Sequence, residues 1–191
     1  CVEAADSHEI GISGSISMAF GSPWDREIPI QDVKDIVDAY LNVGITEISL
    51  SDASGMAYPS QVYAICTEMK QCYPQVDWWL HFHNTRGLGI SNIVAGMQAG
   101  FHQFDSSFAG VGGCPFVPGA AGNVTTEDVL HMCDEMGIET GIDLDLALAV
   151  SRKVVGILGH NTDSYLLRAG KSKDLIRELP TGQIANQTFK K

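Results

Sequence analysis

Short β-prone stretches alternate with amphipathic helical stretches along this chain, and that alternation limits the possible folds more than any other feature. Residues 12–20 (ISGSISMAF) are short and β-prone, and residues 30–43 place Ile30, Val33, Ile36, Val37, Tyr40 and Leu41 on one helical face. Gly44 follows that helix, as glycine commonly does beyond a helix C-terminus. Residues 45–50 (ITEISL) predict a strand, and residues 59–72 predict a helix with Pro59 near its start. The unit returns as a strand at 76–82 and a helix at 88–99 closed by Gly100. It returns again as a strand at 102–107, a glycine-rich loop at 108–123 and a helix at 125–136. Thr125 or Thr126 opens that helix, with Glu127 and Asp128 in its first turn, and a further helix is predicted at 143–158. Strand–helix alternation with short connections means parallel strands and right-handed crossovers. Four such units fit either a doubly wound α/β sheet or half of a (β/α)8 barrel. Both architectures carry function at the C-terminal ends of their strands, where Asp52, His81, His83 and Cys114 fall.

The chain has 191 residues, 45% of them hydrophobic and 18% charged, which suits one folded domain with a sizeable core. No apolar run approaches the roughly 20 residues of a membrane-spanning helix. The first residues carry neither the basic nor the long apolar region of a signal peptide. The net charge of −11, with scattered basic residues, sets aside nucleic acid and anionic membrane as partners. Five cysteines (Cys1, Cys66, Cys72, Cys114, Cys133) with no framework spacing point to a reducing, intracellular compartment.

The sharpest local feature is Leu80-His81-Phe82-His83-Asn84-Thr85 at a strand end. Residues two apart in a strand point to the same face, so His81 and His83 aim into one space, with Phe82 on the other side. Two such imidazoles suit a divalent metal, and equally suit hydrogen bonds to neighbouring loops. The glycine-rich stretch 109–123 carries a thiol, Cys114, where an acid–base group could close over a substrate or where a cysteine is incidental. Asn123, at the end of that loop, could cap the next helix or offer an amide oxygen to a metal. Asp52 could act as a base, orient a ligating histidine or cap a helix. His8, His102, His131 and His160 lie away from the strand ends, and Trp78 and Trp79 read as core residues on opposite faces.

Together, His81-Phe82-His83-Asn84-Thr85, Asp105-Ser106-Ser107, the loop from Gly112-Gly113-Cys114-Pro115-Phe116 to Gly122-Asn123, and Thr126-Glu127-Asp128 resemble hydroxymethylglutaryl-CoA lyase. The strand ending at Leu50, followed by Asp52, fits the same family, and the likeness runs from about residue 12 to about 170. The resemblance implies a (β/α)8 TIM barrel of which residues 1–170 supply the C-terminal half, strands five to eight, with 171–191 as a C-terminal helix or tail. It implies a divalent cation, Mg2+ or Mn2+, with His81, His83 and Asn123 as ligands. It further implies Asp52 as an active-site residue, Cys114 as a proton carrier, and Gly112, Gly113 and Pro115 as parts of a substrate loop. The expected substrate is an acyl-CoA, and the expected assembly is a homo-oligomer, dimer or higher. The implied reaction is cleavage of 3-hydroxy-3-methylglutaryl-CoA to acetyl-CoA and acetoacetate. Related condensing enzymes or aldolases acting on another 3-hydroxyacyl-CoA or 2-keto acid, and a non-catalytic half-barrel scaffold, are the alternatives. The chain departs from the family in two ways. Asn84 stands where the family has Asp, and the Arg-Asp pair of the family's first strand is not found. Four parallel strands alone leave two open edges and an uncovered interior, so the first half of the barrel is expected from elsewhere.

Overall fold

The computed structural model describes residues 1–113, 117 and 119–176. Four parallel strands pair in sequence order: β1 (Gly14–Ile16), β2 (Glu47–Asp52), β3 (Asp77–Phe82) and β4 (Phe104–Asp105). Helices α2 (Ile30–Asn42), α3 (Pro59–Cys72) and α4 (Gly89–Gln98) connect them, followed by α5 (Thr126–Glu135), α6 (Leu144–Leu158) and α7 (Tyr165–Ala169). A short helix, α1 (Val2–Ser7), precedes β1 and was not expected from the sequence.

Strand alternation divides the sheet into two unlike faces. Ile16, Ile48, Leu50, Trp78, Leu80 and Phe82 point to the helices and join Val33, Val37, Val62, Cys66, Met69 and Ile93 in one buried core. Phe82 packs against Phe20 with tilted rings whose centroids are 5.7 Å apart. Fully burying a side chain such as Leu80 contributes about 1.5–3 kcal/mol. The other face carries Ser15, Ser49, Ser51, Trp79, His81 and Asp105, brought into line by the register Ser15–Ser49–Trp79 and Ser51–His81–Asp105. A doubly wound sheet covers both faces and reverses its strand order; this sheet does neither. It is part of a (β/α)8 barrel, and its polar face is the one that lines the interior of such a barrel.

Two strands are shorter than their sequence pattern. β1 stops at Ile16 because the chain then bends across the end of β2: Ala19 N–H donates to the Ser51 carbonyl, and Ala53 N–H to that of Ser17. β4 stops at Asp105 because Ser107 N–H turns to the Val124 carbonyl, so residues 123–125 take over the pairing. The helical face predicted for 30–43 buries Val33 and Val37, while Ile36 lies at its exposed margin. Of the expected terminal helix or tail at 171–191, a 3-10 turn at Ser172–Leu175 is seen, and 177–191 lie outside the described residues. No helix among the described residues is long and apolar enough to cross a membrane.

Candidate functional site

β3 carries His81 onto the open face, and the chain beyond it keeps the alternation, so His83 follows on the same side. Their ring centroids lie 5.2 Å apart. The return limb of the glycine-rich stretch runs antiparallel past this strand end. Asn84 N–H donates to the Gly122 carbonyl (2.9 Å), and Val124 N–H donates to the Phe82 carbonyl (3.1 Å). These bonds set Asn123 directly opposite His83, and directly opposed residues share a face. Asn123 therefore brings a carboxamide to the two imidazoles. Its Nδ2 donates to the Val111 carbonyl at 2.8 Å. Its Oδ1, and Nδ1 of His83, are buried without a partner among the described residues.

Two buried polar atoms without partners at one spot are costly, on the order of 1–3 kcal/mol each, unless something binds them. The electrostatics agree with a cation. Burial holds His81 below the ordinary histidine value of 6.5, outweighing the Asp105 carboxylate and the neighbouring Asn123 amide, which push the other way. Burial also lowers His83, and the charge of a protonated His81 would lower it further. Both rings are thus held in the neutral form whose lone pair a metal needs. Asp105 faces His81 in the register, with Oδ2 3.9 Å from Nδ1. That is longer than a hydrogen bond, but it sets the carboxylate beside Nδ1 of the ring. Among the described residues no cluster of three or more His, Cys, Asp or Glu side chains could hold a metal. The donor set is two imidazoles and an amide oxygen, which fits a divalent cation with coordination positions left open.

Asp52 does not join this group. It pairs with Phe82 and so points to the helix side of the sheet, fully buried. Its Oδ1 accepts from Ser54 Oγ (3.0 Å) and Met56 N–H (2.9 Å), and its Oδ2 from Ala57 N–H (3.0 Å). Burial raises its pKa against these bonds. In this structure Asp52 folds the loop between β2 and α3. Gly112 packs against Asn123, and Gly113 is exposed. Cys114 and Pro115 lie outside the described residues. Asn84 caps the next element, its Oδ1 accepting from Gly89 N–H at 3.1 Å. An Asp in its place would accept the same bond.

Glu127 is the residue whose importance the sequence concealed. It looked like a dipole-pairing acid in the first turn of α5, yet it is fully buried. Its Oε2 accepts from Ala109 N–H (3.1 Å) and Ser151 Oγ (2.7 Å), tying the start of the glycine-rich stretch to α6. Arg86 has a similar role with no sequence signal. It donates to the Ser54 and Gly55 carbonyls at 3.1 Å, clamping the loop that Asp52 folds. Asp105, which the sequence offered only within the Asp105-Ser106-Ser107 motif, comes to the site through its register with His81.

Residues 1–154 match the family model described as HMGL-like. The chain is 39% identical to a protein named (R)-citramalyl-CoA lyase from Chloroflexus aurantiacus, over 82% of this chain and 49% of that one. It is 33% identical to the mitochondrial hydroxymethylglutaryl-CoA lyase of Homo sapiens, over 88% of this chain and 52% of that one. A solved HMG-CoA lyase from Acinetobacter baumannii, in complex with coenzyme A and 3-methylmalate, superimposes with a TM-score of 0.85. That match has 41% identity and covers 94% of this chain and 58% of the other. The chain thus spans about half the length of the curated relatives it matches. With the HxH strand end, the facing asparagine and the half-barrel sheet, these likenesses agree: the chain belongs to the HMGL-like family.

Proposed function

We propose that the intact protein bearing this chain is a divalent-cation-dependent carbon–carbon lyase cleaving 3-hydroxy-3-methylglutaryl-CoA to acetyl-CoA and acetoacetate. The observation that carries the proposal is the meeting of His81, His83 and the unpartnered Oδ1 of Asn123 at one strand end. Relatives named as acyl-CoA lyases support the substrate class. His81, His83 and Asn123 would hold Mg2+ or Mn2+. Such an ion, when bound, supplies Lewis acidity that eases loss of the substrate's hydroxyl proton.

The bond that breaks joins C2 and C3 of the acyl chain. The C3 hydroxyl loses its proton and becomes the ketone of acetoacetate. The bonding pair moves to C2 as the enolate of acetyl-CoA, and C2 then takes up a proton. Cys114, nine residues before Asn123 in the sequence, is assigned that protonation. The imidazoles, kept neutral by burial, act as ligands and not as acids.

A second reading has the same chemistry acting on (R)-citramalyl-CoA, which would release pyruvate in place of acetoacetate. A relative of that name, 39% identical, favours it. Incubating the intact protein with each thioester and Mn2+ or Mg2+, and measuring both keto acids, separates the two. Acetoacetate from the first thioester, lost in Cys114→Ala, is the expected result. Pyruvate alone would transfer the assignment to the second substrate, and neither product with either ion would remove both readings.

A further inference from the structure

The cation ligands and the stem of the glycine-rich stretch meet at one side chain. Asn123 lies directly opposite His83, with Oδ1 buried and without a partner among the described residues and Nδ2 donating to the Val111 carbonyl. The two limbs of the stem are pressed together around it. A Cβ on Gly112 would come within 2.5 Å of Asn123 Nδ2, and one on Gly122 would overlap the carbonyl oxygens of Gly110 and Gly112. Both glycines also have positive φ, 119° and 99°, which side chains other than glycine's rarely tolerate. At Gly112 and Gly122 the limbs leave no room for a side chain, so the stem is in close contact with the amide there.

A carboxamide is planar and rigid. Whatever fixes Oδ1 also fixes the direction of Nδ2–H, and drawing electron density from the oxygen makes that N–H a stronger donor. We propose that Asn123 is a positioning residue for the stem at 110–112: a cation on its oxygen locks the amide that holds Val111. This rests on the assignment of Asn123 as a ligand. Coupling of this kind is reciprocal, so holding the stem also tightens the cation.

The test uses the intact protein and Mn2+. Hydrogen exchange of a peptide covering 108–113 is followed with and without the ion, while calorimetry reports binding. In the wild type Mn2+ should slow that exchange about fivefold or more, the lower end of typical coupling. Asn123→Asp keeps a ligand oxygen but has no N–H for Val111. It should bind Mn2+ and give no slowing in 108–113. Gly112→Ala presses on Nδ2, the end of the amide opposite Oδ1, and should weaken Mn2+ binding by a factor similar to the loss of slowing. Wild-type binding without a change at 108–113, Asn123→Asp slowing like the wild type, or unchanged affinity in folded Gly112→Ala would each overturn the coupling alone. A wild type that binds no Mn2+ would overturn the ligand assignment and the coupling with it.

Discussion

Replacing Glu127 by alanine tests the frame that holds the glycine-rich stretch against the rest of the fold. The carboxylate is fully buried and receives two donors, Ala109 N–H and Ser151 Oγ–H. Each donor left unpartnered costs about 1–3 kcal/mol. Ala109 also sits at φ 57°, a conformation a non-glycine residue holds only when its surroundings enforce it. Against this, the substitution removes the penalty of burying a carboxylate, and Oε1 has no partner among the described residues. The net expectation is a loss of about 2–4 kcal/mol. Glu127→Gln keeps the shape and one acceptor oxygen, so its loss should be smaller. Equilibrium urea unfolding of the intact protein, read by circular dichroism, gives both values, and the 108–113 peptide should exchange faster in the alanine variant. A loss within about 0.5 kcal/mol, the range of ordinary surface substitutions, would refute the reasoning.

Other consequences follow from the same geometry. Both imidazoles titrate below 6.5 in the fold, so protons compete with Mn2+ only below that value. Affinity measured by calorimetry should be level above it and fall beneath it. With no metal added, the unfolded chain takes up protons before the fold does, so stability should decline as pH drops from 6.5 toward the folded values. Asp105→Asn removes the carboxylate beside His81 Nδ1 and should weaken Mn2+ about 10–100-fold, with little change in unfolding free energy. Cys66 is fully buried, and burial pushes its thiol up to about 12, so it should resist alkylation in the native protein while exposed Cys1 and Cys72 react.

The residues differ in how openly the sequence declared them. Period-two alternation through Trp78–His83 announced both the core face and the shared direction of the imidazoles, because strand geometry allows no other outcome. The residues alone left Asn123 open between capping a helix and offering an oxygen to a metal, since its position depends on an antiparallel return past β3 that no local pattern encodes. Glu127 was hidden for a related reason. An acid in the first turn of a helix is usually exposed and paired with the helix dipole, and only the approach of Ser151 from α6 and Ala109 from β4's exit buries it. Asp52 is a contrasting case. It stands at a strand end, as functional residues do, yet the register with Phe82 turns it toward the helices, where it folds a loop.

Titrating Mn2+ into the intact protein while recording the electron paramagnetic resonance of the free ion addresses the heart of this account. One site per chain should fill, and it should vanish in His83→Ala and in His81→Ala while both variants keep the wild-type circular dichroism spectrum. Unaltered Mn2+ uptake by a folded double variant lacking both imidazoles would contradict it.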